Sequence, residues 1–200
     1  MPRQPGDAAP PSQTVPPDHF EKLYAEHPDP WHFTTSAYER RKYAITLASL
    51  PRERYVRGYE AGCSIGELTR LLAPRCDRLL AVDCSPFAVE RAAAATAAFR
   101  HVRVEQALLP GELPGQTFDL IVLSELLYYF SGADLEALLE GVWGRLEPGG
   151  DVVAVHCLTR GEEHAYDGFN VHAALVGRPG LRRLVHHDDE GFVLDVVRRD

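Results

Sequence analysis

Tyr55-Val56-Arg57-Gly58-Tyr59-Glu60-Ala61-Gly62-Cys63-Ser64-Ile65-Gly66-Glu67-Leu68-Thr69 reads as a short strand, a tight glycine turn and the start of a helix. Gly62 and Gly66 bracket the turn, where glycine permits positive φ and leaves no Cβ between the main chain and a ligand. A second strand follows, Arg78-Leu79-Leu80-Ala81-Val82-Asp83, and it ends on an acid. A glycine turn after one strand and a carboxylate at the tip of the next is how an open α/β sheet holds a ribose-bearing cofactor.

The spacing selects among cofactors. A nicotinamide or flavin site requires G-x-G-x-x-G, whose third glycine lets helix and strand pack closely. Here the pattern is Glu60-x-Gly62-x-x-x-Gly66, and Glu60 would repel a pyrophosphate at close range. A cofactor carrying an ammonium and a sulfonium meets no such repulsion.

Outward from this turn, strands and helices alternate. Strands are expected at Tyr55 to Ala61, Arg78 to Val82, His101 to Gln106, Phe118 to Leu123 and Asp151 to His156, with helices at Gly66 to Leu72, Pro86 to Phe99 and Asp134 to Leu146. Phe118 to Leu123 is apolar on both faces, as a central parallel strand is. Thr159 to Gly168 reads as irregular, Asn170 to Val176 as helical, and Leu181 to His187 with Phe192 to Arg198 as a final strand pair. This predicts a single doubly wound Rossmann-like α/β domain over residues 19–200: a seven-stranded, mostly parallel sheet with an antiparallel edge strand. Within it, ahead of the α/β core over 55–200, His19 to Glu26 and Ser36 to Leu50 are expected to form helices of an N-terminal lid spanning 19–50. Ser36 and Glu39 make a capping box for the second. Residues 1–18, rich in Pro, Gly, Gln and Ala, are expected to be disordered.

Composition narrows the function classes. The net charge of -8 argues against a nucleic-acid partner, whose phosphates dominate affinity, although Arg52-Glu53-Arg54 with Arg57 could form a local basic patch. No apolar run reaches the roughly 18 residues of a membrane helix, and no secretory signal is read at the N-terminus. Cys63, Cys76, Cys84 and Cys157 lack C-x-x-C spacing and are expected to be free thiols in a reducing cytoplasm. The nine histidines show no H-E-x-x-H spacing, and no metal is expected. Oligomeric state is not legible.

The Glu60–Gly66 spacing resembles motif I of the class I S-adenosylmethionine-dependent methyltransferases. Asp29-Pro30-Trp31, the Tyr38-Glu39-Arg40-Arg41-Lys42 helix, Phe118 through Ser124-Glu125-Leu126-Leu127-Tyr128-Tyr129, and Leu146-Glu147-Pro148-Gly149-Gly150 follow in the expected order. Together they resemble the nodulation protein S type of small methyltransferase over roughly Phe20 to Val197. The resemblance implies S-adenosylmethionine as cofactor and N-methylation of an amino sugar in an oligosaccharide, or of another small amine. It places Glu60 near the cofactor's amino-acid end and Asp83 on both ribose hydroxyls. Gly62, Gly66, Cys84, Ala107, Leu108 and Ser124 complete the implied cofactor contacts. Many relatives carry, at the position of Leu108, an Asp that accepts a bond from the adenine amino group. Leucine cannot, so Gln106 or a carbonyl near Ala107 would have to substitute. His156-Cys157-Leu158 also departs from relatives, which points to a different acceptor.

Several side chains carry a chemical role beside a structural alternative. An attacking amine must be neutral, so a proton acceptor is needed near the methyl. His156, at the tip of the fifth strand, is the first choice as base, and His172 is a further candidate; either could instead be simply hydrogen-bonded. Glu125 could hold an ammonium or accept a proton, or be a helix-start carboxylate. Tyr128 could line the substrate cavity or belong to the core with Tyr129. Trp31 could cover the cofactor or plug the core. Arg41 or Arg40 could pair with the methionine carboxylate or face solvent. Beyond amine methylation, O-methylation of a small natural product, a non-catalytic cofactor-binding partner protein and a nicotinamide oxidoreductase are the rival functions.

Overall fold

The computed structural model describes residues 13–159, 164 and 166–200. Two helices lead: α1 (Pro17–Glu26) and α2 (Ala37–Ser49). The core then runs β1 (Tyr55–Ala61), α3 (Glu67–Leu72), β2 (Cys76–Asp83), α4 (Pro86–Ala95), β3 (Val102–Gln106), β4 (Phe118–Ser124), α5 (Gly132–Arg145), β5 (Leu146–Cys157), α6 (Gly168–Val176), β6 (Leu181–Asp188) and β7 (Phe192–Arg199). Strand order is β3-β2-β1-β4-β5-β7-β6. The first five strands pair in parallel. β7 runs antiparallel to both neighbours, so the antiparallel strand lies one place in from the edge, which is β6.

Alternation along the central strand builds the two layers. Ile121 and Leu123 pack with Leu135, Leu138, Val171 and Leu175 of α5 and α6 on one face. Leu120 and Val122 pack with Tyr43 of α2 and Leu68 and Leu72 of α3 on the other. All six residues Phe118 to Leu123 are buried, as a strand covered on both faces requires. Ser36 caps α2 by accepting from the Glu39 amide at 3.3 Å, as its capping box predicts.

The largest differences from the sequence reading are three. α4 stops at Ala95, short of Phe99, because the Thr96 hydroxyl takes the Ala92 carbonyl (2.7 Å) and caps the helix. β5 begins at Leu146, not Asp151, since Leu146 pairs with Phe118 ahead of the Pro148-Gly149-Gly150 irregularity. Of the N-terminal stretch expected to be disordered, residues 1–12 lie outside the described residues, but Thr14 to Asp18 are placed. The Val15 amide donates to the Tyr129 carbonyl (2.9 Å), the Ser131 amide donates to the Thr14 hydroxyl (2.9 Å), and Pro17 opens α1. The Tyr129 carbonyl lies at the end of the short 3-10 turn Leu127–Tyr129, and the strap gives it a backbone donor.

β1 and β4 are neighbours, and strand order runs away from them in both directions. Their carboxyl ends therefore form the crevice where open α/β sheets bind ligands. Ala61, Asp83, Ser124 and Cys157 all end strands at that edge.

Candidate active site

The glycine turn after β1 is tightly specified. Gly62 (φ +75°), Ser64 (φ +49°) and Gly66 (φ +85°) all adopt left-handed conformations. A Cβ on Gly62 would lie 2.9 Å from Leu126 Cδ1, and one on Gly66 would lie 2.7 Å from the Ala92 Cα of α4. Gly62 thus lets the turn approach the loop after β4, and Gly66 lets α3 and α4 meet. The Asp83 carboxylate is fixed at the tip of β2 by the Ser64 amide on Oδ2 (2.8 Å) and the Ser85 amide on Oδ1 (3.0 Å). Each oxygen keeps a further lone pair. Glu60 is buried at the end of β1 and its Oε2 has no hydrogen-bond partner. Burial pushes its carboxyl up to about 8; the Thr69 side chain opposes the shift and the charge of Asp83 adds to it.

A second group of side chains meets at the end of β4. Glu125 follows the strand with φ +52°. Its Oε1 accepts from Lys42 Nζ (2.5 Å), and its Oε2 accepts from the Tyr128 hydroxyl and from the Cys157 amide (3.0 Å). Lys42 is 1% exposed and also donates to Glu39 Oε1 (2.9 Å). Burial raises the Glu125 pKa, but the charge and hydrogen bond of Lys42, with the Tyr128 and Cys157 bonds, bring it below the usual carboxylate range. Glu39 behaves oppositely: burial holds its carboxyl above that range despite Lys42. The Tyr128 ring stacks on His164, centroids 3.9 Å apart.

Both groups line one cavity of about 830 Å³. Among the expected cofactor residues, Trp31, Glu60, Gly62, Asp83, Cys84, Ala107, Leu108 and Ser124 line it. Trp31 also packs edge-on to Tyr24 (5.7 Å), beside Ile65 and Ala88, so it is both cavity wall and plug. Gly66 supports the turn from behind. Glu125 and Tyr128 line the cavity as expected. Gln106 uses its side-chain amide on the Cys84 carbonyl (2.9 Å), and the Leu108 amide is taken by Glu112 (2.7 Å).

Three expectations are corrected. Arg41 does not line the cavity; it pairs with Asp189 (2.6 Å) and lies over the Phe192 ring. Arg40 bonds the Thr35 carbonyl and is exposed. His156 is fully buried outside the cavity and cannot serve as base: its Nε2 accepts from the Leu127 (3.0 Å) and Leu126 (3.3 Å) amides. That fixes the tautomer. Nδ1–H of His156 donates to His172 Nε2 (3.0 Å), and His172 Nδ1–H donates to Asp195 Oδ2 (2.7 Å). His172 is likewise buried away from the cavity. The chain of bonds anchors the loop carrying Glu125 and Tyr128. The cavity residues the sequence reading missed are Lys42 and Glu39. Their signal was an i, i+3 acid–base pair on α2, obscured by the two adjacent arginines.

Among the described residues six acidic side chains line the cavity, those of Glu39, Glu60, Glu67, Asp83, Glu125 and Asp134, against one ammonium, that of Lys42; Glu67 also pairs with Arg70 (3.1 Å). Such a lining favours cationic ligands. Among the described residues no group of three or more His, Cys, Asp and Glu could hold a metal ion, and no helix is long and apolar enough to cross a membrane.

Comparison with known proteins gives a consistent picture. The family model described as nodulation protein S (NodS) matches residues 18–157. Nodulation protein S of Bradyrhizobium diazoefficiens is 34% identical over 122 residues, which cover 60% of this chain and 58% of that protein. The chain thus spans a little under three-fifths of the length of the curated relatives it matches. The crystal structure of the N-methyltransferase NodS from Bradyrhizobium japonicum WM9, in complex with S-adenosyl-L-homocysteine, superposes with a TM-score of 0.81 at 26% identity, covering 91% of this chain and 97% of that one. A Pseudomonas syringae protein provisionally classed as a methyltransferase is 44% identical, with a TM-score of 0.74, over 82% of this chain and all of its own.

Proposed function

The chain belongs to the nodulation protein S (NodS) family of the class I methyltransferase fold, and from that premise we propose that it transfers a methyl group from S-adenosylmethionine to the amine of a small polar acceptor, an amino sugar first among them. The observation that carries this reading is the acidic lining of the cavity: among the described residues, six side-chain carboxyl groups and a single ammonium surround one space. A sulfonium, an ammonium and an amine acceptor all suit it, whereas a nicotinamide cofactor's pyrophosphate would be repelled.

The residues present fit the cofactor. The unpartnered Glu60 Oε2 is an acceptor for its ammonium. Asp83, held by two backbone amides, has the remaining lone pairs for two ribose hydroxyls. Gly62 offers close approach without a side chain. Ala107 and the Leu108 side chain give an apolar wall on the adenine side, which replaces a directed hydrogen bond with contact area. One lost neutral bond is worth about 0.5–1.5 kcal/mol, so affinity falls without being abolished.

When bound, the cofactor supplies a methyl carbon already activated by the sulfonium. What the protein contributes is geometry and charge. Trp31, Tyr24 and Phe33 wall off water. Tyr128, held by Glu125, and the stacked His164 flank the acceptor end. Glu125 stays ionised because Lys42 stays beside it, and the pair sets the potential felt by an incoming ammonium.

The test has two stages. Calorimetric titration of S-adenosylhomocysteine, with NAD as control, should give micromolar binding of the first and none of the second. Mass spectrometry of glucosamine incubated with enzyme and S-adenosylmethionine should then show N-methylation. Methylation only of hydroxyl acceptors would replace the amine reading with O-methylation. Cofactor binding with no turnover of amines or alcohols would leave a cofactor-binding partner protein.

A further inference from the structure

We infer that Glu39, on α2, is the group that takes the proton from the acceptor amine; this rests on the amine reading of the cavity above. Two carboxylates flank the buried Lys42, and they are not equivalent. Glu125 has both oxygens engaged, by Lys42, the Tyr128 hydroxyl and the Cys157 amide. Glu39 accepts from Lys42 through Oε1, and the Tyr43 hydroxyl lies close enough to its carboxyl to lower its pKa; Oε2 is buried and makes no hydrogen bond of ordinary geometry. Glu39 is 6% exposed and lines the cavity with Glu125 and Tyr128.

The charges facing Glu39 set its role. Lys42 and Tyr43 come from its own helix, and Glu125 from the loop after β4. Two acids and one ammonium leave this buried cluster one negative charge in excess, an arrangement that burial penalises unless a cation joins it. An incoming ammonium is that cation. Burial raises the proton affinity of Glu39 while Lys42 and two further donors lower that of Glu125. Neighbouring acids pushed apart in this way divide the work: one stays ionised, and the other exchanges protons.

The step balances without any further reactant. The ammonium proton passes to Glu39 Oε2, giving a neutral carboxylic acid. The freed nitrogen lone pair forms the new N–C bond, and the electron pair of the breaking S–C bond stays on sulfur. Lys42 keeps Oε1 in place, and the acid returns its proton to solvent when product leaves.

The experiment compares wild type with Glu39→Gln, which keeps shape and an acceptor for Lys42 but cannot take the proton. With glucosamine and S-adenosylmethionine, turnover should fall about 100-fold or more, the usual contribution of a general base. S-adenosylhomocysteine affinity should stay within about twofold, which also reports that the variant folds. The acid limb of the wild-type kcat/KM profile should disappear. Glu39→Asp, which keeps the charge but withdraws it by one methylene, should retain the acid limb at reduced turnover. It serves if the Gln variant fails to fold. Independently of activity, carbon-13 NMR of glutamate-labelled protein should show two carboxyls titrating above the ordinary range, those of Glu60 and Glu39, of which one is absent in Glu39→Gln and moved down by glucosamine. Glu39→Gln turnover within a few-fold of wild type, with the acid limb intact, would overturn the assignment. If wild type methylates no amine, the amine reading fails instead, and absence of that titrating carboxyl would remove Glu39 as well.

Discussion

Asp83 and Glu60 lie one strand apart and face the same space, yet their environments give different predictions. Asp83 is anchored by two amides, so its loss should act on ligand and turn together. On the proposed placement of the cofactor, Asp83→Ala removes two charge-assisted bonds to ribose, each worth roughly 1.5 kcal/mol or more, and it leaves the Ser64 and Ser85 amides without their acceptor. S-adenosylhomocysteine affinity should drop at least about 100-fold in calorimetry; unchanged binding would remove Asp83 from the site. Glu60, by contrast, is a pH reporter. Its carboxyl is pushed up to about 8 by burial, so near neutrality the ligand-free protein holds it protonated. An ammonium binds the ionised form, so affinity should rise with pH between about 6 and 8, by up to tenfold per unit, and level off above. Its effect on the ligand-free fold has the opposite sign. A folded pKa above the unfolded value contributes stability that is full below about 4.5 and is lost as pH rises through about 8. Glu60→Gln should therefore flatten the pH dependence of affinity and raise the ligand-free melting temperature at pH 8. A variant whose affinity kept the wild-type pH slope would show that another group titrates.

At the scale of elements, the loop from Ser124 to Phe130 is held from below by the His156–His172–Asp195 chain of bonds. His156 must be neutral to accept from two amides, and burial, followed by the nearby His172, Lys42 and His164 charges, holds its pKa well below 6.5. A depressed folded pKa contributes stability that is present above the unfolded value and lost as pH falls through the folded one. His156→Ala leaves two buried amides unpaired and a cavity under the loop. It should cost about 2–4 kcal/mol in denaturant unfolding, and turnover should fall through misplacement of Glu125 and Tyr128. Normal stability with lost turnover would return His156 to a direct role. Gly66→Ala should cost about 2 kcal/mol or more, since left-handed backbone alone costs about 1–2 and α4 must also give way. These two positions show what was legible in sequence. Gly66 announces itself because only glycine suits that turn, and the alternation of strands and helices gave the sheet for the same local reasons. The role of His156 did not, because a histidine at a strand tip reads alike whether its ring points into the cavity or under the loop. Arg41 and Lys42 are adjacent on α2, and which of them is buried depends on the angle at which α2 crosses the sheet, which side-chain type does not specify. The Thr14–Val15 strap was hidden by a composition that reads as unstructured; its partners, Tyr129 and Asp134, lie more than a hundred residues away.

For the molecule as a whole, charge and architecture act together. The chain carries a net charge of -8, and acids outnumber the single lysine around the cavity. Arg70 pairs with Glu67 at the cavity, whereas Arg52, Arg57 and Arg198 pair with Asp151, Glu147 and Asp119 at the opposite, amino-terminal end of the strands. The sheet thus separates a charge-paired end from one where, among the described residues, acids exceed their basic partners. Low-dielectric walls focus such a field into the cleft. S-adenosylmethionine, with sulfonium, ammonium and carboxylate, enters carrying one net positive charge, whereas S-adenosylhomocysteine carries none. The two ligands share every contact except the methyl and its charge, so salt should separate them. Raising ionic strength from 0.01 to about 0.15 M shortens the screening length from about 30 to about 8 Å. Stopped-flow association of S-adenosylmethionine should then slow several-fold, while that of S-adenosylhomocysteine changes little. An equal response of both ligands would mean that Lys42 and protonated Glu60 neutralise the cleft. In that case the acidic lining would act only at contact range, on the acceptor ammonium at Glu39 and Glu125, and not on the approach of the cofactor.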